Sequence, residues 1–70
     1  MAYFNYHATA KRLIAEGRLT GYYYADRHNR ICPALVLLFD DAQRPVMPIR
    51  RERWHEYEPL LPPELLRGNR

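Results

Sequence analysis

The sequence contains a single cysteine, Cys32, among its 70 residues. A disulfide within one chain is therefore excluded, and so is a zinc site built only from the cysteines of one chain. A lone cysteine is typical of proteins in a reducing compartment, so the sequence predicts a cytoplasmic protein.

Long apolar runs are also missing. The longest, 34–39, is far shorter than the roughly 20 residues that a membrane-spanning helix needs. Residues 1–16 carry Lys11, Arg12 and Glu16 and lack the apolar core of a signal peptide. We therefore expect no targeting segment and no membrane partner.

The sequence has few candidate metal ligands. His28 and Cys32 share one segment, but no second pair at ligand spacing accompanies them. Asp40 and Asp41 are adjacent acidic residues at the end of a predicted strand, where such a pair is typical of a turn. We predict no metal and no cofactor.

Catalytic motifs are lacking as well. The sequence has no glycine-rich phosphate loop and no nucleophile motif. His55 with Glu52 and Glu58 is the one candidate acid–base pairing, and a single turn of a charged helix produces it by chance. We predict no catalytic residues and a protein that is not an enzyme.

What the sequence does contain is typical of one small folded domain. Hydrophobic residues make up 47% of the chain, and the net charge is +3. All but one of the 11 basic residues are arginine, which makes bidentate contacts with phosphate and carboxylate. A codon bias of the host would give the same count, so this composition leaves both interpretations open.

The first predicted element is an amphipathic helix. Asn5 is a good N-cap residue, and Gly17 is a natural C-terminal stop. The apolar residues on one face of this helix are Tyr6, Ala10, Leu13 and Ile14.

Three strands and a second helix are predicted to follow. The strands are 19–25, 31–39 and 46–49, separated by polar turns, with Pro48 confining the third to an edge. A helix over 50–58 is ended or kinked by Pro59. The chain is thus predicted to be a single α+β domain of order α-β-β-β-α, a three-stranded antiparallel meander with two helices. Its ordered core covers about 3–61, and 62–70 form a short helical turn and a frayed tail.

The predicted central strand is apolar on both faces. Leu35, Leu37 and Phe39 point to one side, and helices of this short chain can cover only one side comfortably. We therefore predict a homodimer, in which a second copy covers the other side. The predicted self-association surface consists of Tyr22, Tyr24, Ala34, Val36 and Leu38. The alternative is a monomer whose two helices lie on opposite faces of the sheet.

The densest basic cluster opens the predicted second helix and consists of Arg50, Arg51, Arg53 and His55. Guanidinium groups at the start of a helix suit an anion such as phosphate, so these residues are the candidate contacts for an anionic partner. The alternative is a solvated helix face on which Arg53 pairs with Glu56.

The order of elements resembles the double-stranded-RNA-binding domain, which also has basic residues opening its second helix. The resemblance covers most of the chain as topology only, because the glycine-rich turn, the lysine-rich motif and the alanine-rich second helix of that family are missing. It implies a nucleic-acid-binding module that uses the arginines, as the alternative to an interaction module that self-associates.

Three short phrases resemble those of short uncharacterised bacterial proteins, some labelled "thermostable hemolysin". The phrases begin at Tyr3, Pro33 and Met47 and read YFNYHA, PALVL and MPIR. The resemblance extends from Tyr3 to about Leu61 and implies no residue roles. The residues themselves do not predict membrane lysis, since the sequence has neither a long amphipathic helix nor a spanning segment.

Overall fold

The computed structural model describes residues 5–25 and 33–67, which fold as the predicted α+β chain of order α-β-β-β-α. The elements are α1 (Tyr6–Ala15), β1 (Leu19–Ala25), β2 (Ala34–Phe39), β3 (Val46–Arg50) and α2 (Trp54–Tyr57). Three 3₁₀ turns, Arg51–Arg53, Glu58–Leu60 and Pro63–Leu65, surround and follow α2.

Local signals set the ends of α1. The Asn5 side chain accepts a hydrogen bond of 2.9 Å from the backbone N–H of Ala8, which satisfies one of the free donors of the first turn. Gly17 follows the helix with φ of +76°, a left-handed conformation that glycine adopts without penalty. Both predicted boundary residues therefore act as expected.

The sheet has the order β1-β2-β3, with both pairs antiparallel and β2 in the centre. Leu35, Leu37 and Phe39 point to one side, and residues of both helices pack against them. The core consists of Ala10, Leu13, Leu19, Tyr22, Leu35, Leu37, Phe39, Met47, Ile49, Tyr57 and Leu61. Because α1 and α2 share this face, the alternative with one helix on each face of the sheet is wrong.

The predicted placement of Tyr22 and Tyr24 on the outer side of the sheet is also wrong. Tyr22 lies opposite Leu37 and Tyr24 opposite Leu35, and directly opposed residues of an antiparallel pair share a face. The physical reason is a bulge between Leu19 and Gly21, which shifts the alternation of β1 by one residue. Both tyrosines therefore face the helices.

The second helix is shorter than predicted. Arg50 ends β3, Arg51–Arg53 form a 3₁₀ turn, and only Trp54–Tyr57 are α-helical. Pro59 lies in the 3₁₀ turn that follows. Pro48 lies in the edge strand β3, as predicted. Within the described ranges, no helix is long and apolar enough to cross a bilayer.

The segment after Leu61 belongs to the fold up to Arg67. Leu65 packs against the core, and Leu66 pairs with Tyr22 in a parallel bridge at the free edge of β1. The backbone N–H of Arg67 donates to the Tyr22 carbonyl at 2.7 Å, and its guanidinium donates to the Thr20 carbonyl at 2.9 Å. The sequence predicts that the ordered core ends near 61, so this return to the sheet is a finding of the structure.

Candidate functional site

The face of the sheet turned away from the helices is mainly apolar. We call it the outer face. Its three cross-strand rows are Ala25–Ala34–Arg50, Tyr23–Val36–Pro48 and Gly21–Leu38–Val46. Arg50 is the one charged residue in these rows, and the guanidinium of Arg67 lies over Gly21 at the β1 edge of the face. Both described helices pack on the opposite side, so neither covers the outer face.

Exposure varies across the outer face. Val36, in the middle, is only 7% exposed, because Tyr23 and Pro48 flank it on the neighbouring strands. Val46, at the rim, is 52% exposed. The outer face thus has a filled centre and an apolar rim, which suits contact with another flat apolar surface.

Three of the five residues predicted for self-association, Ala34, Val36 and Leu38, lie on the outer face. Tyr22 lies in the core, and Tyr24 packs against the core. The Tyr24 hydroxyl donates a hydrogen bond of 2.6 Å to the carboxylate of Glu58. Sequence reasoning missed Tyr23 as a member of the outer face. No alternation pattern could have found it, since the bulge at Thr20 is invisible in the sequence.

The predicted basic cluster is divided by the structure. Arg53 pairs with Glu56 at 3.0 Å, as in the solvated-face alternative, and Lys11 reaches the same carboxylate at 2.9 Å. His55 is exposed. The side chains of Arg50 and Arg51 make no ion pair or hydrogen bond within residues 5–25 and 33–67.

Two clefts lie at the end of the sheet where β3 meets the 3₁₀ turn Arg51–Arg53. The larger, which we call the proline cleft, has a volume of about 540 Å³ and is lined by Pro33, Ala34, Pro48, Ile49, Arg50, Arg51 and Glu52. The smaller, which we call the aromatic cleft, has a volume of about 260 Å³ and is lined by Tyr24, Pro33, Arg51 and Trp54. Arg51 and Pro33 therefore border both clefts.

Hydrogen bonds fix the two aromatic rings that line the aromatic cleft. The indole N–H of Trp54 donates to the Ile49 carbonyl at 2.9 Å, and the Tyr24 hydroxyl donates to the Glu58 carboxylate at 2.6 Å. The two rings meet edge to face, with centroids 4.9 Å apart and an interplanar angle of 64°. Since both polar groups are used internally, the rings offer mainly hydrocarbon surface to the cleft.

A polar cluster that the sequence did not reveal joins α1 to α2. The Tyr57 side chain is fully buried, and its hydroxyl lies 2.7 Å from Nδ1 of His7. Burial raises the pKa of Tyr57 to about 12, so this hydroxyl stays protonated, and it is hydrogen-bonded to the imidazole and lies 3.4 Å from the His7 carbonyl oxygen. Burial, aided by the charges of Arg53 and Lys11 and opposed by Glu56, lowers the pKa of His7. This arrangement stabilises the contact between the helices.

The lowered pKa of His7 makes the stability of the fold sensitive to acid. The unfolded chain takes up this proton near the ordinary pKa of 6.5, whereas the folded chain takes it up only at lower pH. The contribution of His7 to the free energy of unfolding is therefore complete above pH 6.5 and is lost as the pH falls below that value. We expect urea denaturation to give a lower free energy of unfolding at about pH 5 than at about pH 7. His7→Gln should flatten this dependence, and an equally steep dependence in that variant would contradict the role of His7.

Among the candidate metal ligands of the sequence, the adjacent Asp40 and Asp41 lie in the described part of the chain. Residues 5–25 and 33–67 contain no group of three or more histidine, cysteine or acidic side chains placed to hold a metal ion. Asp41 instead accepts a hydrogen bond from the Arg44 backbone N–H at 2.7 Å and pairs with Arg18 at 3.6 Å, as a turn former does. His28 and Cys32 lie outside the described residues.

Comparison of the chain with family models, curated proteins and solved structures gives no match. The function proposed below is therefore inferred from the surfaces and contacts of the chain itself.

Proposed function

We propose that this chain is a small, non-enzymatic interaction module that associates with a second copy of itself through the outer face. The observation that carries the proposal is that both helices pack on one face of the sheet, although the central strand β2 carries apolar side chains on both of its faces. Exposed apolar patches of this kind mark contact surfaces in water-soluble proteins.

The edges of the sheet support association through the face rather than through added strands. The free edge of β1 is occupied near Tyr22 by the segment that ends at Arg67. The other edge strand, β3, contains Pro48, which has no N–H to offer a neighbouring strand. Edge-to-edge pairing with another sheet is thus hindered at both edges, which leaves the outer face as the surface for self-association.

The size of the outer face sets the expected strength. Three strands of five to seven residues, spaced about 4.8 Å apart, span roughly 15 Å by 20 Å. This footprint of about 300 Å² per copy is smaller than that of stable specific interfaces, so it suits a weak, transient association. We therefore expect a two-fold dimer that forms in the micromolar range and dissociates on dilution.

Val46→Lys tests this proposal. Val46 is 52% exposed in the monomer, so lysine is tolerated by the fold but places a charge against the partner. We expect the dissociation constant from sedimentation equilibrium to rise about tenfold or more. Leu60→Lys is the matched control, because Leu60 is 46% exposed and lies outside the sheet.

Three results would end the proposal. One is a wild-type mass that stays at 8.4 kDa up to about 1 mM. Another is a dimer that Val46→Lys leaves unchanged. The third is a dimer that Leu60→Lys weakens as much as Val46→Lys does, since that would place the interface on the helical side.

A further inference from the structure

The side chains of Arg50 and Arg51 differ from those of the other described lysine and arginine residues in having no partner within the described ranges. Lys11, Arg12, Arg18 and Arg53 each lie within 4 Å of an acidic oxygen, and Arg44 and Arg67 donate to backbone carbonyls. Glu52 borders the proline cleft with Arg50 and Arg51 but forms no ion pair with either. Two arginine side chains that border the proline cleft are thus available to an external anion.

The aromatic cleft places a ring-binding surface directly beside one of these guanidinium groups. Arg51 lines it together with Tyr24, Pro33 and Trp54. The hydrogen bonds from Trp54 to Ile49 and from Tyr24 to Glu58 hold both rings in place before any ligand arrives. A prearranged wall loses little side-chain entropy on binding, which favours a planar ligand.

The ligand that fits combines a planar ring with an anionic group. A cleft of about 260 Å³ accommodates one small ring system, while Arg51 and Arg50 offer forked donors that match phosphate oxygens. Bases stacked on aromatic side chains, with phosphates held by arginine, are the common mode of binding single-stranded nucleic acid.

We propose that the aromatic cleft binds a nucleotide, with the base against Trp54 and Tyr24 and the phosphate held by Arg51, assisted by Arg50. The shared chemistry is one base and one phosphate, supplied either by a free nucleotide or by a single strand. A duplex does not fit, because its bases are already stacked and paired. This site includes the inner-face residue Tyr24 and does not depend on self-association through the outer face.

The single tryptophan of the chain allows a direct test. The indole N–H resonance of Trp54 in the 70-residue chain is followed by NMR during titration with five ligands. These are adenosine monophosphate, an oligouridine single strand, an RNA duplex, inorganic phosphate and benzoate. We expect saturable shifts with the mononucleotide, the single strand or both. Binding of the mononucleotide identifies a free nucleotide as sufficient, and binding of the strand alone identifies a single-strand site. Affinity for the strand should fall as salt is added.

Arginine variants locate the phosphate. Arg51→Ala should weaken binding about tenfold or more, and Arg51→Lys should weaken it less, since the charge remains while the fork is lost. Arg12→Ala is the matched control for net charge, because Arg12 is an exposed arginine on α1 paired with Glu16. We expect it to leave binding unchanged.

Several results would overturn the nucleotide site. One is the absence of any shift of the Trp54 resonance with the mononucleotide and with the single strand. Others are binding of phosphate or benzoate as tight as that of the nucleotide, and a preference for the duplex. The last is an equal loss of affinity in Arg51→Ala and Arg12→Ala.

Discussion

Leu37→Ala is expected to remove most of the stability of this domain. Leu37 is fully buried at the centre of β2, between the sheet neighbours Tyr22 and Met47. Truncating a buried leucine costs about 2–5 kcal/mol, because apolar contacts are lost and a cavity remains. A domain of this size has roughly 3.5–10 kcal/mol in total. The variant should therefore be partly unfolded at room temperature, or nearly so.

Urea denaturation followed by circular dichroism measures this effect. With a slope near 1 kcal/mol/M, typical of small domains, the midpoint should fall by about 2 M or more. Leu60→Ala is the matched control, because the same atoms are removed from a side chain that is 46% exposed. Its change should stay within about 0.5 kcal/mol. Equal shifts in the two variants would contradict the core described here.

Tyr57→Ala is expected to lower the stability of the domain by a comparable amount. The separate contributions of the ring and of the hydroxyl to this loss can be measured. The side chain is fully buried between α1 and the sheet, and loss of a buried aromatic ring costs about 3–5 kcal/mol. Tyr57→Phe keeps the ring and removes only the hydroxyl, which is hydrogen-bonded to Nδ1 and to the carbonyl oxygen of His7. Loss of such a hydrogen bond costs about 1 kcal/mol.

The comparison of the two Tyr57 variants is the informative measurement. We expect thermal unfolding to show a small decrease in Tm for Tyr57→Phe, about 4–8 °C, and a severalfold larger decrease for Tyr57→Ala. If the phenylalanine variant were as unstable as the alanine variant, the hydroxyl contact with His7 would stabilise the domain more than the ring does. The packing of the ring would then be secondary.

The outer face and the aromatic cleft are two surfaces of one sheet. The outer face presents Tyr23, Val36 and Pro48, whereas the aromatic cleft uses Tyr24, which points to the helix side. Trp54, Tyr24 and Arg51 lie outside the cross-strand rows of the outer face, and only Arg50 belongs to both the outer face and the proposed nucleotide site. The dimer and the nucleotide site can be tested separately, and failure of one leaves the other standing.

Local signals in the sequence predicted several elements well. Asn5 and Gly17 set the ends of α1, because capping and left-handed backbone are properties of single residues. The bounds of β1 and the turn before β3 also agree with prediction, since β-propensity and turn chemistry act over a few residues. The second helix was predicted too long, because its helical spacing continues into 3₁₀ turns on either side.

The order of elements and the apolar character of both faces of β2 could be read from the sequence, because they follow from residue type and periodicity. Which tyrosines face outward could not, since a bulge near Thr20 shifts the register without leaving a pattern. The packing of both helices on one face, the pairing of Arg53 with Glu56 and the place of Arg51 beside an aromatic cleft emerge only in the folded chain. These outcomes depend mainly on how elements distant in the chain pack together, which no local spacing encodes.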